Sequence, residues 1–305
     1  MFHVKLNEME NIKCCDLCGN TTFSVYLESM DHFLTKERFT IVKCEKCGLL
    51  FVNPRPSASE ISKYYKSENY ISHSTKQQGF LDKIYAVIRK KNHIKKYKLI
   101  EKYRKSGSII DIGCATGEFL DFFKKKGWDV TGVEPDEDAR NFATDTYKLN
   151  VFDEKTIRDL GEKNYDVITM WHVLEHVSDI NERVFQLNRI LKDDGIAVIA
   201  VPNPQSKDAS VYKTFWAGYD LPRHLYHFSE KTITALFEKK GFRLVEKIPL
   251  VFDAYYISIV SEKYKTGKKN LIKAFYCGLK SNMWAKRNND EFSSLIYVFK
   301  KNGLK

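Results

Sequence analysis

Asp111-Ile112-Gly113-Cys114-Ala115-Thr116-Gly117-Glu118-Phe119 is the stretch on which the fold turns. It follows a short apolar run, Ser108-Ile109-Ile110-Asp111-Ile112, with the composition of a buried strand. It leads into Glu118 to Lys126, which reads as a helix with Gly127 as its C-cap. In open α/β sheets, ligands bind at such strand-to-helix bends, beyond the carboxyl ends of the strands. Glycine there lets the backbone approach a ligand with no Cβ in the way. The spacing Gly113-x-x-x-Gly117 does not fit the Gly-x-Gly-x-x-Gly cradle of a pyrophosphate site. Asp111 adds a carboxylate that repels a diphosphate and favours a cationic ligand.

Downstream, strands and helices alternate. Asp129 to Glu134 reads as a second strand, Asp136 to Thr146 as a helix, and Leu149 to Phe152 as a brief third strand. Tyr165 to Trp171 is the fourth and Ile196 to Val201 the fifth. Phe242 to Ile248 and Leu295 to Phe299 read as further strands, with helices across Asp253 to Lys280 between them. This alternation predicts a doubly wound, mostly parallel α/β sheet covered on both faces. Glu134 falls 17 residues after Gly117 at the end of the second strand, where an acid can accept hydrogen bonds from both hydroxyls of a ribose.

As a set these motifs resemble the class I methyltransferase family, across roughly residues 90–250. Asp111-x-Gly113-x-x-x-Gly117 is similar to its first motif, and Val133-Glu134-Pro135 to its second. The run Tyr165 to Val177, which contains Trp171-His172-Val173-Leu174-Glu175-His176, is similar to its fourth. The resemblance implies a seven-stranded Rossmann-like sheet that binds S-adenosylmethionine, which carries an ammonium group and no phosphate. It implies that Gly113 and Gly117 line the methionine part and that Glu134 beside Pro135 holds the ribose. Asp153, or equally Glu154, reaches the adenine amino group, and Trp171 and His172 flank the cofactor. Cys114 contributes backbone rather than a nucleophile.

Methyl transfer to a hydroxyl needs a base, and histidine suits this near neutral pH. His172 and His176, at i and i+4 with Glu175 between them, are the candidates, His176 first. Val173 stands where a zinc metalloprotease helix requires Glu, which argues against zinc at this pair. A second cluster is Asp220-Leu221-Pro222-Arg223-His224-Leu225-Tyr226-His227-Phe228-Ser229; its Pro-Arg-His-x-x-x-Phe run is similar to one in many bacterial methyltransferases. From it, Arg223 is expected to bind an anionic acceptor group, and His224 to bind or deprotonate the acceptor hydroxyl with His227 beside it. Ser229 caps the helix that starts at Glu230.

Upstream, Cys15-Asp16-Leu17-Cys18-Gly19 and Cys44-Glu45-Lys46-Cys47-Gly48 repeat one pattern with 25 residues between the two pairs. Four thiolates in two such knuckles make a closed structural zinc site, Cys15, Cys18, Cys44 and Cys47. A redox motif needs only one Cys-x-x-Cys, and an iron–sulfur cluster is the other rival. Cys14 breaks the register and is not counted as a ligand.

Asn53-Pro54-Arg55-Pro56 forms a turn that cannot be helical, after which Ser57 with Glu60 reads as a capping box. The segment through Tyr64, Tyr65 and Tyr70 resembles a branch of bacterial methyltransferases with an N-terminal cysteine module, often associated with polysaccharide or sugar modification. That implies a lid over the cofactor cleft, with Tyr65 among its contacts. The expected division is 1–53 zinc module, 54–105 helical lid or linker, and 106–305 transferase domain.

The totals bound the partners. The chain has 305 residues, 43% hydrophobic and 29% charged, the balance of a globular protein. No apolar run reaches the roughly 20 residues that cross a bilayer. Met1 to Lys5 lacks a basic-then-apolar signal, so a cytoplasmic protein is expected. The net charge of +11 suits nucleic acid, but the lysines are scattered and no RNA-binding fingerprint accompanies them. The expected acceptor is an oxygen on a sugar, nucleotide sugar or cell-envelope precursor. The alternatives are a quinone-like phenol, a nitrogen or carbon acceptor, a nucleic acid, or a non-catalytic cofactor-binding protein.

Overall fold

A computed structural model describes residues 9–65 and 80–302, with side chains from residue 91 onward in the helix that opens the second segment. Tyr70 lies outside the described residues. The N-terminal part forms β1 (Met9–Glu10), β2 (Phe23–Met30), β3 (Arg38–Cys44), β4 (Leu50–Val52) and β5 (Arg55–Pro56). After α1 (Phe80–Glu101) the alternating region runs β6 (Ser108–Ile112), α2 (Glu118–Lys124), β7 (Asp129–Val133), α3 (Glu137–Tyr147) and β8 (Asn150–Phe152). It continues with β9 (Tyr165–Trp171), α4 (Ile180–Ile190), β10 (Leu191–Pro202), α5 (Lys207–Tyr212), β11 (Tyr226–His227) and α6 (Glu230–Glu238). The last elements are β12 (Phe242–Pro249), a helical hairpin of α7 (Asp253–Thr266) and α8 (Leu271–Ala285), and β13 (Ser294–Lys301).

Seven strands form the central sheet in the order β12-β13-β10-β9-β6-β7-β8. β13 runs antiparallel to both its neighbours, while β10, β9, β6, β7 and β8 are parallel. The chain winds outward from β6 in both directions, so the crevice for a ligand opens beyond the carboxyl ends of β6 and β9. Alternate residues of each central strand feed two cores, as burial on both faces requires. Ile110, Ile112, Ile168, Met170 and Ile199 pack on one face, with Leu17, Val42, Cys44 and Phe51 from the N-terminal part in the same cluster. Ile109, Val167, Val198, Phe119 and Phe123 pack on the other.

The cysteine-bearing part forms an antiparallel sheet, β2-β3-β4-β11, whose last strand comes from the 220–229 loop. Its attachment is therefore hydrogen-bonded as well as apolar. Tyr226 donates from its hydroxyl to Asp16 (2.6 Å) and Asn181 donates to the Asp16 carbonyl (2.6 Å).

Two local expectations change. Ser57 and Glu60 form no capping box: the Ser57 hydroxyl pairs with Ser59 at 2.8 Å, and Glu60 is the N-cap of a short 3-10 turn, Ile61–Tyr64. Tyr64 is buried and donates to Glu37 (2.6 Å), so it packs under the N-terminal sheet rather than facing a cleft. Ser229 does cap α6, in a box with Thr232.

Candidate active site

The glycine bend leaves β6 with Gly113 at φ 77°, Ala115 at φ 46° and Gly117 at φ 80°. A Cβ on Gly113 would lie 2.4 Å from Val173, and one on Gly117 2.6 Å from Leu149. Both glycines are thus required by left-handed backbone and by packing against the chain itself. The Val173 contact also seats the bend directly against the segment after β9. Cys114 is buried beneath the bend, its sulfur 2.7 Å from where a Cβ on Gly132 would stand.

Asp111 does not stand free at the mouth. It is buried, accepts a hydrogen bond from Thr169 (2.5 Å), and burial pushes its carboxyl well up. Opposite it stands Lys96 of α1, whose ammonium lies 3.8 Å above the Trp171 ring and within the field of Asp111 and Asp253. The crevice therefore contains a seat for a positive charge between an indole face and a carboxylate. Glu134 is fixed from below: its two carboxylate oxygens accept from Ala115 N–H (2.9 Å) and Asp136 N–H (3.0 Å), leaving further lone pairs on each. Arg140 donates to the Glu134 and Pro135 carbonyls and pairs with Asp153 at 3.6 Å. Glu154 is taken by Arg183, which separates it from Asp153.

After β9 the chain turns at His172, held at φ 58°. Its Nε2 lies 3.0 Å from Asp253 and its Nδ1 3.5 Å from Glu175. Burial alone would lower its pKa, but the two carboxylates outweigh that and raise it to about 10, so His172 is charged at neutrality. His172 is therefore held as a cation between two carboxylates, unlike the neutral imidazole expected of a base. His176 has the opposite character. Burial, then the neighbouring His224, lowers its pKa to about 4. Its Nδ1 lies 3.0 Å from the Arg223 carbonyl and 2.9 Å from the Tyr65 hydroxyl. A carbonyl can only accept, so the Nδ1 carries the proton and Nε2 the lone pair. His224 is fixed in the same manner, with Nδ1 2.9 Å from the Gly218 carbonyl and Nε2 4.0 Å from Glu175.

Glu175 is the residue that sequence reasoning underused. It is buried, and both carboxylate oxygens lack a hydrogen bond among the described residues. Its carboxylate, His176 and His224 present ligand atoms within 4.8 Å of one another. Its position between two flagged histidines was the available signal. Asp253, 81 residues beyond its partner His172, offered none.

Arg223 corrects an expectation. Its guanidinium is 1% exposed: it grips Asp220 through two nitrogens (2.9 and 2.7 Å), Asp31 at 3.1 Å and the Tyr64 carbonyl at 3.0 Å. Four of its five N–H donors are committed, and its burial keeps the group from meeting an acceptor anion. Arg223 instead pins the 220–229 loop to the N-terminal sheet. Removing one member of a buried ion cluster typically costs about 3–5 kcal/mol. Arg223→Met is therefore expected to lower Tm by on the order of 10 °C in a melting scan. A stable variant with only a raised KM would restore the acceptor role. His227 is buried in β11, its Nε2 without a hydrogen-bond partner among the described residues and its ring edge-on to Tyr219 at 5.3 Å.

In the N-terminal part, Cys15 and Cys47 sulfurs are 3.5 Å apart, as are Cys18 and Cys44, and all four lie within 4.8 Å of one another. These distances are far too long for disulfides and close to the roughly 3.8 Å edge of a tetrahedron with 2.3 Å metal–sulfur bonds. Burial alone would raise the Cys44 thiol, but backbone N–H groups of Cys47 and Lys46 aimed at it outweigh that and lower it. Cys14 is exposed and outside the group.

A seven-stranded sheet with one reversed strand, a glycine bend after its central strand and an acid ending the next define a class I S-adenosylmethionine-dependent methyltransferase. A family model described as a methyltransferase domain matches residues 85–247, more than half of the chain, and the chain belongs to that family. It is similar to the ubiquinone biosynthesis O-methyltransferase of Rickettsia prowazekii (strain Madrid E), 27% identical over 161 residues. That match takes in 48% of this chain and 63% of the relative, so it spans under two thirds of that protein. The protein of the same name from Rickettsia bellii (strain OSU 85-389) is 25% identical over 244 residues, 74% of this chain and 96% of the relative. Magnesium protoporphyrin IX methyltransferase from Synechocystis PCC 6803, solved with bound SAH, shares the fold with a TM-score of 0.53 at 14% identity. That likeness covers 80% of this chain and 100% of the other. Among the described residues, no helix is long and apolar enough to cross a membrane.

Proposed function

We infer that the enzyme methylates a phenolic hydroxyl on a quinone-type aromatic, with His176 as the base. The observation that carries this reading is a neutral, lone-pair-bearing imidazole beside a buried carboxylate, next to the cofactor bend. A weakly basic histidine can help only an acidic hydroxyl. Phenols titrate near 10, several units below an alkyl alcohol. This chemistry and the named relatives together favour the phenol over the sugar acceptor expected from the sequence.

Bound S-adenosylmethionine would supply the electrophilic methyl group. Glu134 would hold the ribose on its free lone pairs, Asp153 would reach the adenine, and Trp171 would offer its ring face to the positive charge that Lys96 now occupies. His176 Nε2 would take the proton of the acceptor hydroxyl. Glu175 stabilises the imidazolium, and Tyr65 with the Arg223 carbonyl fixes the ring. Through its contact with His176, Tyr65 would serve as a cover residue at the site. The four cysteines would hold a structural zinc ion.

Two experiments test this reading. Calorimetry with S-adenosylhomocysteine should show Glu134→Ala binding about 10–100-fold more weakly, as expected for two lost charge-assisted hydrogen bonds. Unchanged affinity removes Glu134 from the site. Turnover should be found with catechol-type phenols and not with nucleotide sugars; the reverse result restores the sugar.

A second reading has one observation in its favour. The Glu175 carboxylate, whose oxygens accept no hydrogen bond among the described residues, could with His176 and His224 gather a divalent cation that lowers the acceptor hydroxyl pKa. Loss of turnover on chelation, with the protein still folded, and recovery with magnesium or zinc would favour it over the free base.

A further inference from the structure

Helix α8 is built inside out. Its buried face consists of small residues, Ala274, Gly278, Ser281, Asn282 and Ala285. Its large apolar side chains point outward: Ile272 is 86% exposed, Phe275 60% and Leu271 58%, with Tyr276, Leu279 and Met283 beside them. The small face has a clear cause, because α8 lies close against α7. A Cβ on Gly278 would stand 2.8 Å from Tyr255 and 3.1 Å from the Ala254 backbone. The outer face has no such cause. Leaving six large apolar side chains in water on one helix forgoes burial worth far more than a lone exposed leucine, and contiguous patches of this kind mark interaction surfaces.

The charge around the patch selects the partner. Between Lys263 and Arg287 stand eight cations, Lys263, Lys265, Lys268, Lys269, Lys273, Lys280, Lys286 and Arg287, all exposed, and not one Asp or Glu. Lys273 pairs with Glu262 of α7, and Lys280 lies 4.5 Å above the Tyr276 ring. A second copy docked through the same face would set this cationic rim against itself. The patch is also a convex helix surface with projecting side chains rather than a groove, so it fits a deformable partner better than a shaped one.

We propose that the α7–α8 hairpin docks on an anionic lipid surface. α8 lies in the interface plane with Leu271, Ile272, Phe275, Tyr276, Leu279 and Met283 in the acyl boundary, and the lysines contact the headgroups, as for other amphipathic interfacial helices. The hairpin leads straight to the active site, since α7 begins at Asp253, the partner of His172. Docking would therefore bring the acceptor pocket close to a membrane. The surface stands on its own chemistry and does not depend on which acceptor is methylated.

Sedimentation of the full chain with vesicles tests this. The protein should pellet with phosphatidylglycerol-containing phosphatidylcholine vesicles and bind pure phosphatidylcholine at least about tenfold more weakly, since each lysine near an anionic surface adds about fivefold. Salt should release it. Ile272→Glu/Phe275→Glu replaces only exposed side chains; its circular dichroism should match the parent while vesicle binding falls at least about tenfold. Lys268→Glu/Lys269→Glu should weaken anionic binding and leave neutral vesicles unaffected. The proposal is overturned if phosphatidylglycerol vesicles leave the protein in the supernatant, or if the apolar variant binds them as well as the parent. It is equally overturned if light scattering shows a dimer that Ile272→Glu/Phe275→Glu dissolves without any vesicle binding by the parent.

Discussion

Replacing Cys44 with serine, or stripping the metal with a strong chelator, is expected to unfold the N-terminal sheet and abolish methyl transfer. Structural zinc contributes roughly 10–16 kcal/mol to small thiolate modules, more than the whole stability of most domains. Here the four sulfurs lie within 4.8 Å of one another, and the knuckle amides aim at Cys44, as the proposed zinc site requires. The loss would not stay local. β4 pairs with β11, Tyr226 holds Asp16, and Arg223 ties Asp31 to the loop that carries His224. Metal analysis should return one zinc per chain, and chelation should lower Tm and turnover together. A parent protein without bound metal, or a Cys44→Ser variant that melts where the parent does, would remove zinc from the account.

His176→Asn should lower kcat by about 10²–10⁴-fold, the usual span for a lost general base. Asparagine is the appropriate replacement because its amide can still donate to the Arg223 carbonyl, so the loop keeps its anchor while the Nε2 lone pair disappears. KM and affinity for S-adenosylhomocysteine should change little. His176 stays neutral down to about pH 4, so the parent kcat should show no acidic limb between about pH 6 and 8. A variant with full kcat on its true acceptor would show that His176 only orients the loop. His172→Gln makes the contrast: that side chain is a cation clamped by Asp253 and Glu175, and its replacement should perturb stability and site geometry rather than remove a proton acceptor.

The transferase sheet was legible because its signals are local. β9 runs from Tyr165 to Trp171 as the apolar pattern indicates, and β6, β7 and the helices after them lie within a few residues of expectation. Two helices left no comparable mark in the reading, α4 and α5. The fifth strand also starts earlier, at Leu191, because Lys192 to Asp194 are polar yet continue the strand's backbone. The two cysteine knuckles come together as their spacing requires, since Gly19 and Gly48 take the left-handed turn after each pair.

What the sequence by itself determined was the parallel sheet, the glycine bend with its following acid, and the four-sulfur cluster. In each, residues close in the chain carry the whole constraint, through strand patterning, left-handed backbone or knuckle spacing. Tertiary structure alone decided the character of each polar side chain. It made Arg223 a buried pin rather than an anion receptor, made His172 a clamped cation and His176 a neutral imidazole, and turned the large residues of α8 outward. Those outcomes depend on which charges and backbones arrive from distant segments, Asp31, Asp253 and Tyr255 among them. Local pattern cannot encode an electrostatic field or a packing distance set by residues tens to hundreds of positions away.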